Sequence, residues 1–93
     1  MRIVWTRKAV QHLADVQTYI ERDKPQAARK VAAAIRKAVA YLAQYPHLGR
    51  PGRKAGTREL VIPDAPYIVT YQVRDDRLII IAVLHGAQYL PED

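Results

Sequence analysis

The stretch Tyr67-Ile68-Val69-Thr70-Tyr71-Gln72-Val73-Arg74-Asp75-Asp76-Arg77-Leu78-Ile79-Ile80-Ile81-Ala82-Val83-Leu84 decides the architecture. From Tyr67 to Val73 the pattern has period two. Tyr67, Val69, Tyr71 and Val73 share one face, and Ile68, Thr70 and Gln72 share the other. Asp75-Asp76 supplies a turn. Leu78 to Leu84 is almost continuously apolar, which predicts a central strand covered on both faces. His85-Gly86-Ala87 ends it. Just upstream, Glu59-Leu60-Val61-Ile62 predicts a further short strand, stopped by Pro63. The second half of the chain is therefore a three-stranded antiparallel meander.

The first half has a different period. Ile3 to Trp5 is a short β-prone start, and Thr6 can cap a helix through its hydroxyl. Val10, Leu13, Val16 and Ile20 then recur at helical spacing, predicting a helix from about Thr6 to Arg22. Asp23-Lys24-Pro25 interrupts it, and proline suits the first turn of a second helix. There the apolar stripe is Ala28, Val31, Ile35, Ala38 and Leu42, with Arg29, Lys30, Arg36 and Lys37 off it. Eight alanines between 27 and 43 favour helix and allow close approach to a neighbour. Two helices joined by so short a link form an αα-hairpin. Pro46 ends the second helix, and residues 47–56, rich in Gly, Pro and basic side chains, predict a loop.

The predicted fold class is α+β. It is a two-layer domain in the order β-α-α-β-β-β, with an N-terminal strand added at the edge of a small antiparallel sheet and the αα-hairpin packed on one face. The chain has 93 residues, which suits a single domain over 1–93. Trp5 is expected to anchor the core between the first strand and the sheet.

Composition narrows the chemistry. The chain lacks cysteine, which excludes disulfides, a thiol nucleophile and thiolate metal sites. It also lacks serine, and so a serine nucleophile. His12, His47 and His85 show no metal-ligand spacing, and no glycine-rich phosphate loop precedes a helix, so neither metal nor cofactor is expected. No apolar run is long enough to span a bilayer, and Met1-Arg2-Ile3-Val4-Trp5 does not open a signal peptide, so a cytoplasmic protein is expected.

The net charge is +6, from 15 basic and 9 acidic side chains. Such a surface attracts phosphates or an acidic protein. Arg50, Arg53, Lys54 and Arg58 place four cations in nine residues with no acid among them. They make either an anion-facing patch or a solvated loop, and Arg58 and Glu59 can alternatively pair with neighbours across the sheet. His85 is the best single candidate for chemistry, because it ends an apolar strand and histidine is the side-chain type suited to proton transfer. Tyr89 follows closely. The alternative for His85 is a structural histidine whose ring N–H is satisfied by a backbone carbonyl.

Four pieces in this order carry a resemblance: Gly49-Arg50-Pro51-Gly52-Arg53, Gly56-Thr57-Arg58-Glu59-Leu60, Pro66-Tyr67-Ile68-Val69 with Tyr71, and Val83-Leu84-His85-Gly86-Ala87-Gln88. With Pro25 and Ala27-Ala28 opening the second helix, nearly the whole chain resembles the RelE/ParE superfamily of type II toxin–antitoxin toxins, and within it the ParE branch. The resemblance implies neutralisation by a cognate antitoxin in a hetero-oligomer. It implies either poisoning of DNA gyrase, as in the ParE branch, or ribosome-dependent mRNA cleavage, as in the RelE branch.

RNA cleavage needs a base, cations on the phosphate and an acid for the leaving oxygen. RelE-type enzymes carry an arginine in the central strand, and here that slot falls on Ile68. No lysine pair precedes the strand between Arg58 and Tyr67, and His85-Gly86-Ala87-Gln88 stands where a basic cluster is expected. These departures favour the gyrase-directed reading, with no catalytic residues and with Arg50, Arg53, Lys54 and Arg58 as target or nucleic-acid contacts. The alternative is an endoribonuclease using His85, Arg58, Arg53, Arg50 and Tyr89. The positive field favours an acidic antitoxin that is partly disordered when free.

Overall fold

The computed structural model describes residues 1–86. Its elements are β1 (Arg2–Trp5), α1 (Arg7–Glu21), α2 (Pro25–Leu42), β2 (Arg50–Pro51), β3 (Arg58–Val61), β4 (Tyr67–Arg74) and β5 (Arg77–His85). One sheet has the strand order β1-β5-β4-β3-β2. β1 runs parallel to β5, in the register Ile3↔Leu78 and Trp5↔Ile80, and every other pairing is antiparallel. The α+β order holds, with the first strand at a sheet edge. The connection expected as pure loop adds one feature: Arg50 and Pro51 pair with Glu59 and Arg58 as a two-residue edge strand. Proline is tolerated there because an edge position needs no ladder donor.

Thr6 joins three elements. Its backbone N–H donates to the Ile80 carbonyl at 3.1 Å, continuing β1 by one bond. Its hydroxyl accepts from Ala9 N–H at 3.1 Å and donates to the Ile80 carbonyl at 2.8 Å. The strand therefore ends where the helix cap begins, and both are tied to β5.

The helix hairpin buries Ala9, Leu13 and Val16 from α1, and Ala28, Ala32, Ile35, Val39 and Leu42 from α2. This corrects the expected stripes at three positions. Ala9 rather than Val10 faces the core, and Val10 is 53 % exposed. Ala32 and Val39 replace Val31 and Ala38, which are half-buried at the rim. With 3.6 residues per turn, steps of 3-4 and 4-3 both trace one face. Alanine and valine at adjacent positions carry too little hydrophobic contrast to choose between them.

The β4–β5 hairpin turns through Asp75 and Asp76 between the paired Arg74 and Arg77. Asp75 has φ 53°, a left-handed conformation that aspartate tolerates. Within the hairpin, Tyr71 pairs with Ile80 and Thr70 with Ala82, leaving Ile81 as the extra residue of a bulge. The bulge changes which β5 residues share a face with the core positions of β4. Leu78 and Ile80 lie opposite Val73 and Tyr71, and beyond Ile81 it is Val83 and His85 that lie opposite Val69 and Tyr67. The apolar run of β5 is thus not a strand covered on both faces. Ile79, Ile81 and Leu84 remain half-buried, and the bulge brings Ala82 and Val83 under cover in succession.

Candidate functional site

The basic connection after α2 is held by buried groups. Tyr71 is fully buried; its hydroxyl donates to the Pro46 carbonyl at 2.8 Å and accepts from Gly49 N–H at 2.9 Å. Burial pushes this phenol above its ordinary pKa, partly offset by the Gly49 N–H and by the nearby Arg58 charge. Arg58 donates from Nη1 to the Gly49 carbonyl at 2.8 Å and to the His47 carbonyl at 3.4 Å. Gly49 has no room for a side chain, since a Cβ would lie 2.7 Å from the Tyr71 hydroxyl and 2.8 Å from the Glu59 carbonyl.

Glu59 is the buried anion beneath the loop. It is 4 % exposed; Oε1 accepts from Arg50 Nε at 3.1 Å, and Oε2 accepts from the Arg53 backbone N–H at 3.2 Å. Arg50, its cross-strand neighbour, is still 57 % exposed at the side chain. The cluster Arg50, Arg53, Lys54 and Arg58 therefore divides. Arg58 is committed to loop carbonyls, Arg50 neutralises Glu59 while keeping an exposed flank, and Arg53 and Lys54 are exposed at the turn.

His85 lies elsewhere. It ends β5 opposite Tyr67, whose ring it meets edge-on at 5.3 Å and 86°. Both line an open cleft of about 500 Å³ with His12, Asp15, Val16, Tyr19, Val83 and Leu84. Burial, and secondarily Tyr19, pushes the Tyr67 phenol above its ordinary pKa. His12 has its own task here. Its Nδ1 accepts from Val83 N–H at 3.1 Å, on the stretch of β5 beyond the last β1 pairing at Ile80. That contact, between residues 71 apart in sequence, has no local signal.

Among the described residues the cleft lining contains no lysine or arginine. Arg58 pairs opposite Tyr71, four positions along β4 from Tyr67, or about 13 Å at strand rise. His85 and the arginine loop are thus not brought together among the described residues. Tyr89 lies outside those residues. Ile68 is 9 % exposed and pairs with Leu84 and Val61, so the strand position expected to hold arginine in a nuclease is an apolar one. No group of three or more potential metal ligands occurs among the described residues.

A second groove, of about 510 Å³, lies at the β1 edge. Ile3, Trp5, Val10, Leu13, Val39 and Ala40 line it, with Arg36 as its charged member. Trp5, expected as a core anchor, packs partly against the core and turns part of its surface to this groove. Val10 belongs here because Ala9 took its place in the core.

The geometry is that of a small α+β protein with two open grooves and a rigid basic loop. Residues 3–90 match the family described as the ParE toxin of the type II toxin–antitoxin system parDE. The chain is 47 % identical to the Y4kP protein of Sinorhizobium fredii over 91 residues, covering 98 % of this chain and 94 % of that one. It is 36 % identical to the toxin RelE2 of Caulobacter vibrioides over 87 residues, covering 94 % and 97 %. Among solved structures it resembles a chain of the chromosomal ParDE toxin–antitoxin system from P. aeruginosa. The TM-score is 0.85 at 26 % identity, covering 91 % of this chain and 95 % of that one. The chain belongs to the ParE toxin family of type II toxin–antitoxin systems.

Proposed function

We propose that the chain acts in the cytoplasm as a single toxin domain over residues 1–93. It poisons DNA gyrase and is silenced by a cognate antitoxin in a hetero-oligomer. The observation that carries the gyrase reading is the separation of His85 from every arginine of the loop. Phosphodiester cleavage needs proton transfer and cationic stabilisation at one phosphate. Among the described residues the His85 cleft offers two histidines, an aspartate and two tyrosines but no lysine or arginine. What remains is binding surface, which suits an inhibitor that traps its target.

The antitoxin reading rests on the second groove. Its apolar lining suits one face of an amphipathic segment, and Arg36 suits an acidic side chain on that segment. The net charge of +6 would steer such a partner.

The test is incubation of the purified chain with DNA gyrase and supercoiled plasmid. Linear, protein-linked DNA should accumulate, and the antitoxin should prevent it. A preparation that arrests growth yet leaves gyrase untouched would overturn this reading. It would favour the RelE-like alternative, which the 36 % identity to a protein named RelE2 keeps in view. In that case His85→Ala should abolish mRNA cleavage on ribosomes.

A further inference from the structure

The sheet has two faces, and the helix hairpin covers one of them. Tyr71, Val73, Leu78 and Ile80 face the helices, and Ile3 and Trp5 of β1 pack on the same side. Side chains alternate along a strand, so Arg2, Val4, Gln72, Arg74, Arg77 and Ile79 lie on the far face, away from both helices. The register sets these six in two rows. Arg2 pairs with Arg77, and Arg77 with Arg74, which puts three arginines side by side across three strands at the tip of the β4–β5 hairpin. Val4, Ile79 and Gln72 form the next row by the same pairings. The Arg2 N–H donates to the Asp76 carbonyl at 3.0 Å, so the backbone holds β1 in register as far as the arginine row.

That row works against the fold. Adjacent strands lie about 5 Å apart, so three arginine side chains spring from a strip about 10 Å wide. Like charges directly opposite one another destabilise a sheet. All three arginines are exposed, and none forms an ion pair with an acidic side chain among the described residues. Asp75 and Asp76 stand in the turn, beyond the paired positions. A feature that lowers stability in this way has its use outside the fold, in what the surface binds.

The chemistry of the two rows selects the partner. Val4, Ile79 and Gln72 are half-buried, so the strip beside the arginines is partly apolar. Neither row holds an aromatic ring on which a base could stack, and a nucleic-acid backbone running past the tip would meet Asp75 and Asp76. Arginine beside apolar surface, without lysine, is the composition of a protein interface, and guanidinium forks match carboxylates in a bidentate way. We infer that this far face, with Arg2, Arg74 and Arg77 as its charged row, is the surface through which the toxin engages an acidic patch on its protein target. A second copy of the chain does not fit, because the acid that the described strands place on this face, Glu59, is buried and bound to Arg50. The inference rests on the toxin reading above and not on gyrase as the target. Ile3 and Trp5 turn to the β1-edge groove while Arg2 and Val4 turn away from it, so target contact and antitoxin contact are separable.

The experiment is expression of the intact chain without antitoxin, read as surviving colonies. Arg74→Gln/Arg77→Gln should relieve growth arrest and raise survival at least about a hundredfold, as expected when charged anchors of an interface are removed. The same variant should bind the cognate antitoxin as the unchanged chain does, by titration calorimetry. Its Tm should equal or exceed that of the unchanged chain, because opposed charges have been taken away. Arg29→Gln/Lys30→Gln makes the same change in net charge at exposed positions of α2, across the sheet from the row, and should arrest growth fully. Purified gyrase should lose at least about tenfold in affinity for the row variant. A chain that arrests growth without binding gyrase would refute the gyrase reading, and the growth comparison would still decide the face. Full arrest by the row variant would overturn the inference. So would an equal loss in the α2 variant, a fall in the Tm of the row variant, or an unchanged chain that does not arrest growth. Binding of a labelled oligonucleotide that the row variant loses would overturn it as well, since the partner would then be nucleic acid.

Discussion

A single phenol organises the connection that carries the basic loop. Tyr71 gives the Pro46 carbonyl a donor and the Gly49 N–H an acceptor, and neither backbone group has another partner within its own secondary structure. Tyr71→Phe keeps the ring but strands both groups. We expect a loss of about 2 kcal/mol, or roughly 10 °C in Tm, with the fold retained, measured by thermal denaturation. The same residue sets an alkaline limit. Burial raises the phenols of Tyr71 and Tyr67 above the ordinary value of 10.0. Below about pH 10 both phenols are neutral, folded or unfolded, and stability is full. As pH rises through that value, the unfolded chain releases protons that the folded chain retains, so stability falls. Denaturant titrations from neutral to alkaline pH should show this decline, and Tyr71→Phe should make it shallower. A decline of unchanged steepness in the variant would assign it to other groups.

At the scale of elements, the strand–helix junction at Thr6 was legible, because a capping threonine before an apolar-periodic run has a local cause. What could not be read locally was its second bond, from the hydroxyl to Ile80 across 74 residues. Thr6→Ala removes the cap and the cross-link together and should cost about 1–2 kcal/mol by denaturant unfolding, whereas Thr6→Asp should restore the cap alone. The β5 bulge was also invisible. A run of Leu, Ile, Ala and Val shows no alternation that an extra residue could interrupt, so the skip at Ile81 appears only in the pairing with β4. Its consequence is geometric: it decides which β5 residues stand beside Tyr67 and Val69. The same applies to the helix stripes, where Val10 was assigned to the core by period and is exposed by packing.

The whole molecule distributes its surfaces by charge and polarity. The apolar β1-edge groove and the His85 cleft have different linings within the described fold of residues 1–86, and the basic loop lies apart from the His85 cleft. Val10→Asp tests the groove, since it replaces an exposed apolar side chain and should leave the fold intact. Against the cognate antitoxin we expect affinity to fall by at least about tenfold, near 1.4 kcal/mol, by titration calorimetry. An unchanged affinity would place the antitoxin elsewhere. If net charge steers the antitoxin as proposed, raising salt should weaken the unaltered complex as well.

The order of elements, the helix cap, the central hairpin, the concentration of charge and the family are properties of the sequence by itself. Each rests on a short-range pattern, such as period two, period 3.6, a proline after a break, or a motif in fixed order. The tertiary structure alone decided the fate of the candidate residues. Arg58 reads in sequence as part of an anion-facing patch, a solvated loop or a cross-strand pairing, and in the fold it holds the carbonyls of Gly49 and His47. Glu59 reads in sequence as able to pair across the sheet, and it does so with Arg50; only the fold shows that it is buried. His12 joins His85 at one cleft although 73 positions separate them. The reason is the same each time: a hydrogen-bond or ion-pair partner is chosen by which strands and helices become neighbours, and no local period records that choice.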